Sequence, residues 1–129
     1  MGLTLNLDFA TIKVYERYMI SEVHEGMVLG HEQHDVFEQI VGKYFPDAHF
    51  VYISHRIHSY AVDPLIYLRT SRLTNLVGFA FVSKHTISLT NAQLEKAFLK
   101  KPIYMGRNLE DAIQWANELT EKEQHLVLL

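Results

Sequence analysis

The residues best suited to chemistry lie together in the stretch 54–63. Their side chains supply a guanidinium, two imidazoles, two hydroxyls, a phenol and a carboxylate: Ser54, His55, Arg56, His58, Ser59, Tyr60 and Asp63. Arginine binds phosphate or carboxylate through two parallel hydrogen bonds, and imidazole changes its charge near neutral pH. We therefore expect this stretch to bind a protein partner or a small anionic ligand, with an affinity that depends on pH.

The elements on either side place the stretch at one edge of a sheet. The apolar run 50–53 predicts a buried strand before it, while Asp63 and Pro64 are typical of the N-cap and first position of a helix after it. Open α/β sheets form their binding sites where a strand ends and a helix begins. Because the N-terminus of a helix favours anions, we expect it to bind negative charge together with Arg56. Ser59 is a candidate phosphoacceptor for the same reason.

A purely structural interpretation of these residues stays open, because loops need polar side chains whether or not they bind anything. Ser59 and Asp63 would then only cap the helix, and His55 and His58 would hydrogen-bond to the loop backbone. A nucleophile, base and acid can be assembled from Ser59, His58 and Asp63, but neighbours along a loop do not generally form a catalytic chain of hydrogen bonds. We therefore assign no catalytic residue. An enzyme with histidine acid–base chemistry is a third hypothesis, which requires an enclosed pocket around His55 and His58.

His31 and His34 are spaced to share one face of a predicted helix. Glu32 or Asp35 would orient one of them, yet two ligands make only half a zinc site. The chain has no cysteine and no third ligand at a fixed spacing, so we expect neither a metal site nor a cofactor. A solvated first helical turn is the expected place for both histidines.

Length and composition restrict the class of protein. The 129 residues are 48% hydrophobic and 21% charged, which fits one globular domain over 1–129. A net charge of −3 argues against a nucleic-acid binder. Without an apolar run of about 18 residues or the features of a secretory signal, we expect no integral membrane contact and a cytoplasmic location. The tail 120–129 ends in apolar residues that would suit a contact between copies, so a homo-oligomer is among the expectations.

The order of elements predicts the fold class. Apolar and polar residues alternate over 3–9, and residues 12–14 continue the extended segment, which predicts a strand. Residues 18–24 predict the antiparallel partner of this strand. The remaining predicted elements are a helix at 31–45, a strand at 49–54, a helix from Asp63 and Pro64, a strand at 76–82, a helix at 90–99, a strand at 103–105 and a helix from Asn108. This β-β-α-β-α-β-α-β-α order indicates an α/β fold. We expect a mixed, mostly parallel sheet of about five strands, opened by an antiparallel pair, with about four helices.

The element order, together with the loop before Asp63 and Pro64, resembles the SpoIIAA-like fold of STAS domains, the bacterial anti-sigma-factor antagonists and their relatives. The likeness extends over about residues 3–119. In that family a serine at the start of a helix is phosphorylated, often within Asp-Ser-Ser-Gly. The matching stretch, 58–61, reads His-Ser-Tyr-Ala and keeps the serine as Ser59. The resemblance therefore implies a non-catalytic regulatory or interaction module, similar to small bacterial proteins of the same fold whose function is not established.

A small-molecule binding protein is the alternative function. Related topologies carry apolar ligands, and the seven Phe and seven Tyr residues would suit a lipid or acyl ligand held between helices and sheet. A well-filled core explains the same composition.

Overall fold

A six-stranded mixed sheet forms the centre of the fold in the computed structural model, which describes residues 2–85, 92–93 and 95–128, with side chains up to 123. In spatial order its strands are β1 (Leu3–Asn6), β2 (Ala10–Val14), β3 (Tyr18–Val23), β5 (Phe50–His55), β7 (Leu76–Val82) and β8 (Ile103–Gly106). The first three strands pair antiparallel, and β3, β5, β7 and β8 pair parallel. The predicted fold class is confirmed. A separate parallel ribbon joins β4 (Val28–Leu29) to β6 (Ala61–Val62).

Three α-helices lie within the described residues: α1 (His31–Tyr44), α2 (Ile66–Thr70) and α3 (Leu109–Leu128). The helix predicted at 90–99 lies partly outside the described residues. In its described part, Ala92, Gln93 and Glu95 are helical and Lys96–Phe98 forms a 3-10 turn. No described helix has the length and apolar character needed to cross a membrane.

The two faces of the sheet bury different side chains. On one face, α1 and α2 contribute Phe37 and Tyr67, whose rings pack edge-on against Tyr52 and Phe79 at centroid distances of 5.5 and 5.6 Å. On the other face, small residues of α3 pack against aliphatic residues of β5 and β7. All seven residues of β7 are buried, as predicted for a central strand covered on both sides.

The close approach of α3 to β7 depends on Gly78. A Cβ atom at this position would lie 2.5 Å from Leu119 Cδ2 and 2.8 Å from the Trp115 ring. These distances are well inside van der Waals contact, so the helix can sit this near the strand only because the side chain is a hydrogen atom.

The opening of the chain is a hairpin, where the sequence predicted one extended segment. The Leu7 N–H donates to the Ala10 carbonyl at 2.9 Å and closes a turn through Asp8. Strands on both sides of a tight turn keep the two-residue period, so the alternation alone does not reveal the break. The sheet consequently has six strands, where about five were predicted.

The predicted N-cap of the second helix is also wrong. Asp63 Oδ1 accepts the N–H of Leu65 at 3.0 Å in a local turn, and α2 begins only at Ile66. The chain stays extended through Val62 because β6 pairs with β4. With five residues, α2 is too short to supply the anion-binding N-terminus expected from the sequence.

Candidate functional site

Arg56 is the centre of the candidate site, and its side chain is buried. It follows the last residue of β5, and its N–H donates to the carbonyl of Val82 at 2.8 Å. This bond continues the pairing of β5 with β7 for one more residue. Only 6% of Arg56 is exposed, so its guanidinium lies on the inner side of the loop.

The guanidinium already holds a carboxylate. Its Nη1 and Nη2 atoms donate to the two oxygens of Glu95, each at 2.8 Å, in a bidentate pair. The Tyr67 hydroxyl donates to the same carboxylate at 2.5 Å, and Arg56 Nε donates to Ser54 Oγ at 3.2 Å. We call Ser54, Arg56 and Tyr67 the carboxylate cradle.

Aromatic rings enclose the buried cation. The guanidinium carbon lies 5.3 Å from the centre of the Tyr60 ring and 4.9 Å from that of Phe81, distances at which a ring face attracts a cation. Tyr60 also shares a hydrogen bond of 3.0 Å with Ser54 Oγ. The cation is therefore stabilised by a carboxylate, by hydroxyls and by two ring faces.

The protonation states in this cluster follow from burial and from the contacts among its members. Burial by itself would lower the pKa of Arg56, but hydrogen bonding to Glu95 and the neighbouring phenols raise it above its ordinary value. Burial raises the pKa of Tyr60, and that of Tyr67 well above the ordinary value. The cluster thus consists of a permanent cation and neutral phenols around the Glu95 carboxylate.

A small cavity of about 30 Å³ adjoins the carboxylate cradle. Ser54, Tyr60 and Tyr67 line the cavity and also contact Arg56. The other walls of the cavity are mainly apolar and include Phe50 and Phe79. A cavity needs about 10–15 Å³ to hold one water molecule. This one is therefore large enough for one or two waters or a very short alkyl group.

The structure does not bring the whole stretch 54–63 together. Ser54, Arg56 and Tyr60 meet, but His55, the next residue along β5, points to the opposite face, where its Nδ1 lies 3.2 Å from Glu22 Oε2. Lys13 Nζ lies 3.6 Å from the same carboxylate oxygen.

The remaining residues of the stretch lie toward solvent. His58 and Ser59 are exposed, and the N–H of Ser59 donates to Glu25 Oε1 at 2.9 Å. Asp63 accepts the N–H of Leu65 in the turn that precedes α2. Arg56 and Ser59 therefore have different surroundings, and the single anion-binding spot predicted from them is not what the geometry shows.

Sequence reasoning missed Glu95 and Tyr67 as members of the site. Glu95 lies 39 positions from Arg56, and no local pattern connects the two. The available signal was indirect: an arginine that follows a largely buried strand needs a carboxylate if its side chain turns inward.

One of the two histidines of α1 also differs from expectation. His34 is only 3% exposed because α2 packs over it, and its Nε2 lies 2.7 Å from Thr70 Oγ1. His31 stays at the surface beside Arg69 and Asp63. Among the described residues, no group of three or more His, Cys, Asp or Glu side chains could hold a metal ion.

An exposed apolar surface lies outside the cradle. The described residues include five exposed large apolar side chains, and four of these belong to neighbouring segments: Val28, Ile57, Leu65 and Leu68, exposed by 39 to 60%. The ribbon places Val28 beside Ala61, and the N–H of Gly26 donates to the carbonyl of Ser59 at 2.8 Å. We call the outer side of β4, β6, residues 57–60 and α2 the docking surface.

Comparison with known proteins places the fold. The sequence matches no protein-family model and no curated protein. The structure is similar to the crystal structure of an uncharacterised protein of the DUF3478 family, with a SpoIIAA-like fold, from Shewanella loihica PV-4. The TM-score is 0.55 with 10% sequence identity, over 90% of this chain and 92% of the other. The fold is SpoIIAA-like. The resemblance predicted from the element order is thereby confirmed at the level of the fold.

Proposed function

We propose that this SpoIIAA-like protein is a non-catalytic interaction module of the STAS type that binds another protein through the docking surface. The observation that carries the proposal is the grouping of four of the five exposed large apolar side chains of the described residues on this surface. Exposed apolar residues on neighbouring segments, accompanied by polar ones, are typical of protein interfaces, and His58 and Ser59 are exposed polar residues next to Ile57. The proposal includes a cytoplasmic location, with which the absence of cysteine is compatible.

A protein partner fits this surface better than a small anion does. The arginine of the loop points inward to Glu95, so an anion on the outer side would lack its guanidinium. Exposed Ile57, Leu65 and Leu68 instead offer apolar area, whose burial against a partner is favourable.

Ser59 is a site at which docking would be regulated. Its N–H is held by the carboxylate of Glu25, so a phosphate on Ser59 would bring a second negative group close to that carboxylate. Repulsion would release the loop from the ribbon and change the docking surface.

The other two functions have less support. An acyl chain needs far more room than the cavity of about 30 Å³ beside the carboxylate cradle. A histidine acid–base enzyme needs a pocket at His55 and His58, but neither residue lines that cavity.

The test compares Leu68→Glu and Leu65→Glu with the matched control Leu3→Glu, which places the same charge on an exposed leucine of β1. Proteins retained by the parent from a lysate of the source organism are identified, and the binding of each purified candidate is then measured. We expect Leu65→Glu and Leu68→Glu to weaken binding by at least about tenfold, and Leu3→Glu to leave it unchanged. Equal binding by all variants contradicts the proposal. So does self-association in sedimentation experiments that Leu68→Glu abolishes, because the surface would then be covered by a second copy.

A further inference from the structure

We propose that the partner of the docking surface contributes a basic amphipathic segment, in which lysine or arginine residues border a row of apolar side chains. The apolar side chains would cover Leu65 and Leu68, and the cations would face the carboxylates that surround these leucines. This inference rests on the proposed function, because it names the chemistry of the partner that binds there.

The negative charge of the protein is concentrated beside the docking surface. The chain has 15 acidic and 12 basic residues, of which the segments 24–38 and 57–72 contain five and two. The remainder of the chain contains ten of each sign, so these two segments account for the whole net charge of −3 with histidines neutral. We call their five carboxylates the acidic border: Glu25, Glu32, Asp35, Glu38 and Asp63.

Hydrogen bonds place carboxylates at both ends of the ribbon formed by β4 and β6. Before the ribbon, Glu25 Oε1 accepts the N–H of Ser59 at 2.9 Å. After the ribbon, the N–H of Asp63 donates to the carbonyl of Leu29 at 2.8 Å, and Asp63 Oδ1 accepts the N–H of Leu65 at 3.0 Å. The exposed side chain of Val28 therefore lies on a ribbon with a carboxylate at either end.

The two cations of these segments do not cancel the charge of the acidic border. Arg69 Nη2 lies 2.6 Å from Asp35 Oδ1 and 2.5 Å from Glu38 Oε2, so one guanidinium faces two carboxylates. The other cation, Arg72, is exposed and follows the last residue of α2. Both Glu25 and Glu32 are exposed, and among the described residues neither forms an ion pair with a lysine or an arginine. They are available to the cations of a partner.

The same charge disfavours other occupants of the docking surface. A second copy in a two-fold symmetric contact would bring two acidic borders together, and like charges across an interface weaken binding. Nucleic acids and anionic membranes carry negative charge themselves. A segment that is both apolar and basic complements the surface in both respects.

The experiment measures the binding of fluorescently labelled model peptides by anisotropy. The first peptide consists of leucine and lysine, patterned as an amphipathic helix of about 14 residues or four turns. A second peptide has glutamate in place of every lysine, and a third has the composition of the first in an order without an apolar face. We expect the parent to bind the first peptide at least about tenfold more tightly than the other two. This affinity should fall as the salt concentration rises.

Charge-matched variants locate the effect on the surface. The pair Glu25→Gln, Glu32→Gln removes two charges from the acidic border, and a glutamine at position 25 can still accept the Ser59 N–H. The control pair Glu16→Gln, Glu121→Gln removes two charges from exposed residues elsewhere. At low salt, we expect the first pair to weaken binding of the lysine peptide by about three- to tenfold, and the control pair to leave it unchanged.

The apolar part of the inference has its own variants. Leu68→Ser should weaken binding of the lysine peptide, whereas Leu3→Ser, at an exposed leucine of β1, should not. All of these substitutions are at exposed side chains, so the variants should fold as the parent does. Melting curves recorded before the titrations check this.

Three results would overturn the inference. Equal weakening by the two charge pairs would mean that only the net charge of the protein attracts the peptide. Equal binding of the lysine and glutamate peptides would remove the role of the acidic border, and so would the absence of binding by either peptide. The proposed function is judged separately: if Leu68→Glu weakens the binding of purified partners while the lysine peptide does not bind, the docking surface stands and the basic partner is wrong.

Discussion

The buried imidazole of His34 lies between the hydroxyl of Thr70 and the carboxylate of Glu38. Its Nε2 lies 2.7 Å from Thr70 Oγ1, which also lies 3.1 Å from the carbonyl oxygen of Ile66. The other nitrogen, Nδ1, lies 3.3 Å from Glu38 Oε2. A neutral imidazole has one donor nitrogen and one acceptor nitrogen, so it suits a site with a hydroxyl on one side and a carboxylate on the other.

This arrangement predicts that stability falls in mild acid. Burial, with Arg69 adding to it, lowers the pKa of His34 below its ordinary value of 6.5, although Glu38 and Asp35 act in the other direction. Below about pH 6.5 the unfolded chain therefore binds a proton that the folded protein does not, so the free energy of unfolding decreases as the pH falls from about 6.5 toward the lower folded-state pKa. In urea unfolding at a series of pH values, His34→Gln should have a flatter profile than the parent. The exposed control His58→Gln should keep the parental slope, and a parental slope in His34→Gln would contradict the prediction.

The Arg56–Glu95 pair should behave as a coupled unit in stability measurements. Arg56→Met leaves the largely buried Glu95 carboxylate without its cation, which we expect to cost about 3–5 kcal/mol. The double variant Arg56→Met, Glu95→Gln removes the unpaired charge and should recover part of this loss. Urea denaturation of the parent, both single variants and the double variant gives the coupling energy. Additive effects of the two substitutions would show that the two side chains are independent.

Two glycine substitutions should have opposite effects. In Gly78→Ala the new methyl group meets Leu119 and Trp115 at the contact between β7 and α3, and we expect a loss of about 1–3 kcal/mol. In Gly42→Ala, within α1, nothing lies within 4 Å of the new Cβ, and we expect a gain of about 0.5–1 kcal/mol from helix propensity. Chemical denaturation of both variants checks the signs. A neutral Gly78→Ala would mean that α3 can move away from the strand without loss.

A negative charge at residue 59 should loosen the loop. Ser59→Glu places a second carboxylate near Glu25, whose oxygen accepts the Ser59 N–H, and like charges at short range weaken such a bond. We expect amide hydrogen exchange at residue 59 to become several-fold faster than in Ser59→Gln, which has the same size without the charge. Equal exchange in the two variants would remove the electrostatic explanation.

The sequence predicted those parts of the fold that depend on local patterns. The apolar run of β7, the helical stripe of α1 around Phe37 and Ile40, and the alternation of parallel strands with helices each follow from neighbouring residues, and together they indicated the SpoIIAA-like fold. The turn at Asp8 was missed because a hairpin preserves the two-residue period. The ribbon of β4 and β6 was missed because each strand has two residues, too few to show any period.

The site was less predictable because its contacts are distant in sequence. Arg56 was recognised as a group that binds negative charge, but its direction depends on Glu95, 39 positions away. His34 was placed in a solvated first turn, and its burial depends on α2, which supplies Thr70 from 36 positions away. Local sequence identifies the chemical groups, whereas tertiary packing decides which face of the sheet receives them.

Ser54 and His55 are neighbours in sequence that lie on opposite faces of the sheet. Adjacent residues at the end of β5 have unlike surroundings: Ser54 is buried against a guanidinium, and His55 is a largely buried imidazole beside Glu22. Inserting a single residue into β5 would exchange the two, sending the imidazole toward the cavity and the hydroxyl toward Lys13. Natural variation in length should therefore be confined to the tip at 57–59, while the number of residues in the strand itself stays constant.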